Sequence, residues 1–350
     1  MDLPDLEAEA RSKIDASFYD YVAGGAEDER TLDENEAAWG RLRLRPRVLR
    51  DVRAIDTATT VLGERIASPV GVAPMAMQHA AHEAGPAATA RGCAATDTLF
   101  CMGLFGAGSA KDVAAVPGAA PKWLQVYVLA DRARSVEAIA RSAEQGYKAA
   151  VITVDVARQG NRRRDARNRW QFLQADGQVE DPNELFDHAL TFDDVAWFVE
   201  RAPIPLVVKG VLRGDDARAC VDAGAAGVVV SNHGGRQLDG AIATADALAE
   251  VVAGVDGRAE VYVDGGIRRG QHAVKALALG ARAVFVGRPV MWGLIVAGQA
   301  GVEGVMRGFQ DEVERAMALC GARTVDEIDA SLLARPGGGF AGTGRGEGGA

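Results

Sequence analysis

Eight short apolar runs rich in β-branched residues, separated by alanine-rich stretches, constrain this chain more than any other feature. They fall at Val70–Ala73, Leu99–Met102, Trp123–Val128, Ala150–Val154, Leu206–Val208, Gly227–Val230, Val261–Val263 and Ala283–Val286. Each has the length of a buried strand, and the stretches between most of them read as helices. Strands alternating with helices pair in parallel through right-handed crossovers, and eight such units close into a (β/α)8 barrel, the TIM architecture. An open doubly wound sheet is the competing arrangement. Polar or glycine-rich residues follow nearly every run, at Pro74-Met75-Ala76, Asp155, Lys209-Gly210, Ser231-Asn232-His233, Asp264-Gly265-Gly266 and Gly287-Arg288-Pro289. This punctuation favours the barrel, whose sites collect on the C-terminal rim.

The remaining segments frame that unit, and one barrel domain is expected over residues 1–335. Residues 1–47 form a helical preface: Ile14, Phe18, Tyr21 and Val22 recur at helical spacing before Gly24-Gly25, and a second amphipathic piece runs from Glu27 to Trp39. Residues 157–189 are too long for an ordinary strand-to-helix loop and too polar for core, so they are a candidate lid. The glycine-rich residues 336–350 cannot bury enough apolar surface to offset ordering and are expected to be a disordered tail.

Composition narrows the partners. With 39 basic and 48 acidic residues, the net charge of −9 offers no electrostatic footprint for nucleic acid or an anionic membrane, which leaves a small molecule as the expected partner. No apolar run is long enough to span a bilayer, and the first residues lack the apolar core of a secretory leader, so the expected location is the cytoplasm. Cys93, Cys101, Cys220 and Cys320 are widely spaced and form no metal-ligand pattern, so four reduced thiols and no metal are expected.

The chemistry is concentrated after the sixth run, in Ser231-Asn232-His233-Gly234-Gly235-Arg236-Gln237-Leu238-Asp239. A lone His or Arg at a strand end is more often a cap or a solvated charge. Here two glycines separate the pair, allowing the backbone to bend tightly and approach a ligand. An imidazole able to take a proton then stands beside a guanidinium able to grip a carboxylate through two hydrogen bonds. That combination suits oxidation of a 2-hydroxy acid.

With this stretch, Tyr19-Asp20-Tyr21, Gly25-Ala26-Glu27-Asp28, Ala73-Pro74-Met75-Ala76-Met77-Gln78, Gln125-Val126-Tyr127, Thr153-Val154-Asp155, Val208-Lys209-Gly210, Asp264-Gly265-Gly266-Ile267-Arg268 and Gly287-Arg288-Pro289 occur in one order across residues 5 to 335. Together they resemble the FMN-dependent 2-hydroxy-acid oxidases and dehydrogenases, which include glycolate, lactate and mandelate oxidases. The resemblance implies FMN at the barrel rim and electron transfer from the substrate 2-carbon to the flavin. It implies His233 as the base, Asp155 as the carboxylate that orients it, and Tyr127 at the substrate hydroxyl. Tyr21, Arg162 and Arg236 would hold the substrate carboxylate. Ala73, Pro74, Met75 and Ala76 would line the flavin, with Gln125, Thr153 and Ser231 at its polar edge. Lys209 would place a cation where reduction builds negative charge. Asp264, Gly265, Gly266, Arg268, Gly287 and Arg288 would take the rest of the cofactor, the last five around its phosphate.

The chain departs from the family at Cys101-Met102-Gly103, where a hydroxyl residue is common, at Phe105 in place of a Trp or Tyr, at Met75 in place of a small polar residue, and in a shortened 157–189 segment. These changes point to a larger or aromatic L-2-hydroxy acid at least as much as to glycolate. Molecular oxygen is the expected acceptor, ahead of a quinone or protein acceptor and of oxidative decarboxylation in a closed site. The residues leave open whether a hydride or a proton leaves the 2-carbon first. A non-redox FMN barrel is the reading from a different class. Relatives suggest a homotetramer.

Overall fold

The structure is a computed structural model that describes residues 2–104, 110–169 and 185–334. Its centre is a closed barrel of eight parallel strands. In chain order the strands are β1 (Thr59–Val61), β2 (Glu64–Ile66), β3 (Val70–Val72), β4 (Phe100–Gly103), β5 (Lys122–Tyr127), β6 (Ala149–Thr153), β7 (Leu206–Val211), β8 (Gly227–Val230), β9 (Glu260–Val263) and β10 (Ala283–Val286). Strands β3 to β10 form the barrel, β10 closing against β3 with Val284 opposite Val70. All eight expected runs are barrel strands, with boundaries shifted by up to three residues.

Two opposite side-chain parities build two cores. Outward residues such as Val72, Leu124, Ile152, Val208, Val228 and Val263 pack beneath the helices. Inward residues, including Leu99, Cys101, Trp123, Val151, Val207, Val229, Tyr262 and Phe285, fill the barrel. Trp123 and Tyr262 meet edge to face at 5.3 Å, and Phe285 lies within 6 Å of both. These rings make the barrel floor solid.

The hairpin β1–β2 was not evident from the sequence. Its strands have three residues each, too few to display a period, and Leu62-Gly63 turns between them with positive φ at both positions. Val61 and Ile66 are fully buried against the barrel interior. The backbone N–H of Leu62 donates to the carboxylate of Glu260 at 3.1 Å. The hairpin thus plugs the N-terminal end.

The preface is three helices rather than two: α1 (Leu3–Lys13), α2 (Ala16–Ala23) and α3 (Arg30–Arg41). The periodic residues Ile14 to Val22 do not share one helix, because Ile14 is extended and the Asp15 carboxylate caps α2 by accepting the Ser17 N–H at 2.7 Å. Beyond Arg41 the chain leaves the helix, and Leu44 bridges to Leu333. Helix α3 packs on the rim: Trp39 is fully buried, and its indole N–H donates to Gly265 O at 2.9 Å. The buried amides of Asn35 and Asn232 exchange two 2.8 Å hydrogen bonds.

Residues 170–184 of the expected lid lie outside the described residues, as do Phe105 and the 336–350 tail. The described start of the lid segment includes a short helix, Arg163–Asn168, that is tied to the preface. Arg163 pairs with Glu27 and Asp28, and Arg164 with Asp20 and Glu29. Among the described residues no helix is long and apolar enough to cross a membrane. All four cysteines are free and buried.

Candidate active site

The site follows from strand parity. Trp123, Val151, Val207, Val229 and Tyr262 point into the barrel, so two residues further along the same strands the inward positions are Gln125, Thr153, Lys209, Ser231 and Asp264. All five are buried polar side chains, which must find partners at the rim. Gln125 donates to Thr153 Oγ1 at 2.9 Å, and Lys209 Nζ donates to Ser231 Oγ at 2.9 Å and lies 3.5 Å from Asp264 Oδ2. Burial lowers the Lys209 pKa, but Asp264 and Asp155 outweigh it and hold the pKa above the usual lysine value.

Above this layer opens a cavity enclosing about 1470 Å³ of non-atom space, its mouth included. Eighteen of the twenty expected site residues line it, gathered from the preface and from the ends of seven barrel strands. The exceptions are Asp155 and Ser231. Asp155 stands behind His233, and Ser231 is fully buried beneath the wall, where its hydroxyl bridges Lys209 and the backbone N–H of His233 at 3.1 Å. Ser231 therefore holds two wall residues instead of facing the cavity.

His233, Gly234 and Gly235 all have positive φ, at 59°, 65° and 74°. Three consecutive left-handed residues turn the chain sharply, and at a non-glycine residue that conformation is costly and is retained only where the surroundings impose it. The imposed orientation sets His233 Nδ1 2.9 Å from Asp155 Oδ1 and turns Nε2 toward the Tyr127 hydroxyl at 3.5 Å. Asp155 can come this close because β7 bulges at Gly210, whose φ is 112°; a Cβ there would lie 2.6 Å from the Asp155 Cβ. Burial lowers the His233 pKa from its ordinary value despite Asp155, so the imidazole is neutral near pH 7. Burial works against the Asp155 carboxylate too, but His233 and Lys209 hold it below the ordinary aspartate value. Burial pushes the Tyr127 phenol up to about 12, keeping it a proton donor in hydrogen bonds. An ionised carboxylate, a neutral imidazole and a neutral phenol thus stand in a row.

Two guanidiniums face this row. Burial, with Arg236 nearby, pulls the Arg162 pKa down to about 10, still charged at neutral pH. Arg236 lies over the Tyr21 ring at 4.8 Å and donates to Tyr21 O and Gly24 O at 2.6 and 3.0 Å. At the far end of the cavity, Gly265 and Gly266 have φ of 90° and 72°, and Arg288 begins the helix Arg288–Cys320. Burial, with Arg236 and Arg268 nearby, pulls the Arg288 pKa down to about 9, and its guanidinium donates to Val22 O, Gly234 O and Gly24 O. Asp264 Oδ1 is buried without a hydrogen-bond partner among the described residues.

Sequence reasoning missed the other wall. Val156, Gln159, Leu185, Phe186, Ile267 and Met291 also line the cavity. Phe186 stacks on Tyr127 with ring centroids 4.6 Å apart. Its segment pairs with the residues just after β5 through the bridge Leu129–Phe186, where Asp187 N–H donates to Val128 O at 2.9 Å, and nothing in the local pattern of residues 157–189 announces it. Gly103 lines the cavity as well, and a Cβ there would meet Met75 O at 3.1 Å and Gln125 Oε1 at 3.4 Å.

Comparison with known proteins places the chain in a family. Residues 10–335 match the model of the FMN-dependent dehydrogenase family. The chain is 41% identical to mouse (Mus musculus) 2-hydroxyacid oxidase 1, covering 95% of each chain, and 43% identical to L-lactate oxidase from Nostoc sp., covering 95% of this chain and 98% of the relative. It is 42% identical to Spinacia oleracea glycolate oxidase over 94% of each. A crystal structure of mandelate oxidase superposes with a TM-score of 0.89 at 40% identity, covering 95% of this chain and 97% of that one. The barrel, the rim chemistry and these matches over nearly the whole chain establish that this protein belongs to the FMN-dependent dehydrogenase family.

Proposed function

We propose that this chain oxidises an L-2-hydroxy acid with an apolar, aryl-sized substituent to the 2-oxo acid, with FMN as resident cofactor and oxygen as final acceptor, which leaves as hydrogen peroxide. The observation that carries the reading is the 2.9 Å contact of His233 Nδ1 with Asp155, which leaves Nε2 directed at Tyr127 in a cavity also lined by Arg162 and Arg236.

The cavity fits the cofactor. Gln125 and Thr153 offer amide and hydroxyl groups to a polar ring edge, the unpaired Asp264 Oδ1 suits ribityl hydroxyls, and Gly265, Gly266, Gly287, Arg268 and Arg288 form a cationic end for the phosphate. Ala73, Pro74, Met75 and Ala76 supply an apolar wall. When bound, FMN supplies the two-electron acceptor that no side chain here provides.

The chain's own residues do the rest. Arg162 and Arg236, with Tyr21, hold the substrate carboxylate, and Tyr127 donates to the substrate oxygen. Nε2 of His233 takes the substrate proton, and the ionised Asp155 stabilises the imidazolium that results. Lys209 keeps a fixed positive charge under the cavity floor, where it favours negative charge developing above it. Val156, Leu185, Phe186 and Met75, together with the bare Gly103, favour an aryl substituent over the hydrogen of glycolate. Cytoplasmic placement accords with four free buried thiols.

The test is anaerobic mixing of the yellow protein with glycolate, lactate and mandelate, following flavin absorbance before air is admitted. Mandelate is expected to bleach it fastest, with colour returning quickly in air. Turnover on glycolate far above that on mandelate would overturn the aryl assignment. Slow return of colour in air, accelerated by a quinone, would replace the oxidase by a dehydrogenase. Absence of bleaching by any acid, with FMN bound, would overturn the reaction class.

A further inference from the structure

Three chain segments meet above the barrel: residues 24–29 of the preface, residues 155–162 after β6, and residues 231–239 after β8. The second carries Asp155 and Arg162; the third carries His233 and Arg236. Their backbones are joined by few direct bonds. Ala26 N–H donates to Gly235 O, and Glu27 N–H to Asn161 O, both at 2.8 Å, so the preface is bound to each of the other two. Between 155–160 and 236–237, the Gln237 side chain makes three hydrogen bonds, and beside them Arg162 Nε donates to Arg236 O at 3.5 Å. Gln237 Nε2 donates to Asp155 O at 2.8 Å and to Arg158 O at 2.9 Å, while its Oε1 accepts the Gly160 N–H at 3.1 Å. The amide is used at both ends and behaves as a rivet across the seam. The seam is also tight: a Cβ on Gly160 would lie 2.4 Å from Arg236 O and 2.8 Å from the Gln237 Cα.

We propose that Gln237 is a positioning residue for the reaction assigned above, holding the strand-end segment of Asp155 and Arg162 in register with that of His233 and Arg236. The inference rests on that assignment. Gln237 does not line the cavity, so its action is through the residues it spaces. The two pairs it aligns are the base with its carboxylate and the two carboxylate-gripping arginines. Neither pair belongs to one segment, so neither geometry is set locally. A displacement of Asp155 on the order of an ångström would lengthen its 2.9 Å bond to His233, and the loss would reach the imidazole as a weaker, less basic group.

The charged and titratable groups around the imidazole give that effect its sign. Asp155 raises the His233 pKa, Lys209 on β7 and Arg162 lower it, and Tyr127 on β5 faces Nε2. Loosening Asp155 weakens the influence that raises the pKa and leaves those of Lys209 and Arg162 in place. The acid limb of the rate profile should therefore move to lower pH, while the plateau falls because a weaker base takes the proton.

The test is Gln237→Met, which keeps the length and removes all three hydrogen bonds. Anaerobic flavin reduction by mandelate is measured across pH, per bound flavin. The expected result is a plateau reduced roughly tenfold, an acid limb moved down by about 0.5 pH unit, and a raised KM for the acid. Gly160→Ala opens the same seam from its other side and should reproduce this signature, so a Met variant that fails to fold does not end the test. A variant that loses thermal stability or FMN yet keeps the wild-type rate and pH profile per bound flavin would reduce Gln237 to a purely structural role and overturn the proposal. Wild-type protein bleached by no 2-hydroxy acid would overturn the assigned reaction and this inference together; wild-type bleaching with an unchanged variant would overturn this inference alone.

Discussion

His233 combines a strained backbone, a buried ring and a paired Nδ1, and each has a separate consequence. The φ of 59° is a cost at His233 that its surroundings impose, while Gly234 and Gly235 continue the turn in the same hand without a Cβ penalty. Burial lowers the pKa, and the sign matters for catalysis: a base works while unprotonated, so kcat/KM should hold flat through neutral pH and fall only below the lowered His233 value. A limb at or above the ordinary histidine pKa would show that the ring is charged in the resting protein. His233→Gln keeps the size of the side chain and removes its basicity. Flavin reduction should drop by about 10²–10⁴-fold with FMN retained, as read by stopped-flow absorbance. Most of these residues were legible in the sequence, since Lys209 and Asp264 follow apolar runs directly and His233 and Arg236 lie in the glycine-bearing stretch after another. Phe186 and Gln159 were not, because they enter the site through a segment without periodicity. Ser231 was legible as a strand-end residue, but its direction was not; two residues beyond inward Val229, it is held under the wall by Lys209.

At the scale of elements, the preface is part of the cavity wall. Helix α3 presses on the glycine turn after β9: Trp39 donates to Gly265 O, and a Cβ on Gly266 would lie 2.0 Å from Asn35 O. Gly266 also has a φ of 72°, so it is required twice, by its own conformation and by its neighbour. Gly266→Ala should displace α3, lower stability by on the order of 3 kcal/mol in a denaturant titration, and release FMN during gel filtration. Retained FMN and an unchanged denaturation midpoint would refute the role given to α3. The composition of α3, with Leu32, Asn35 and Trp39 on one face, identified an amphipathic helix, but not the surface that receives it. Hairpin β1–β2 shows the complementary limit. Three-residue strands carry no period, and the hairpin is stabilised by the barrel interior it closes, through Val61 and Ile66.

Across the whole molecule, burial decides which groups react. All four cysteines are buried, and burial raises the thiol pKa of each, that of Cys220 to about 12. A thiolate-selective reagent should therefore label none of them in the native protein and all four in denaturant; rapid labelling of any thiol under native conditions would place it at the surface. The same interior divides the barrel into a closed floor of Trp123, Tyr262 and Phe285 and an open rim. The eight barrel strands, their alternation with helices and the polar residues at their ends were determined by the sequence alone, because periodicity and punctuation are local properties that each segment carries by itself. Which residues meet was decided only by the tertiary structure. His233 and Asp155 are 78 positions apart, and Gln237 and Asp155 are 82. Their contacts exist because barrel closure brings the ends of β6, β7 and β8 side by side and a bulge at Gly210 makes room between them. Long-range adjacency of that kind follows from strand order, shear and packing, which no stretch of the chain encodes in isolation.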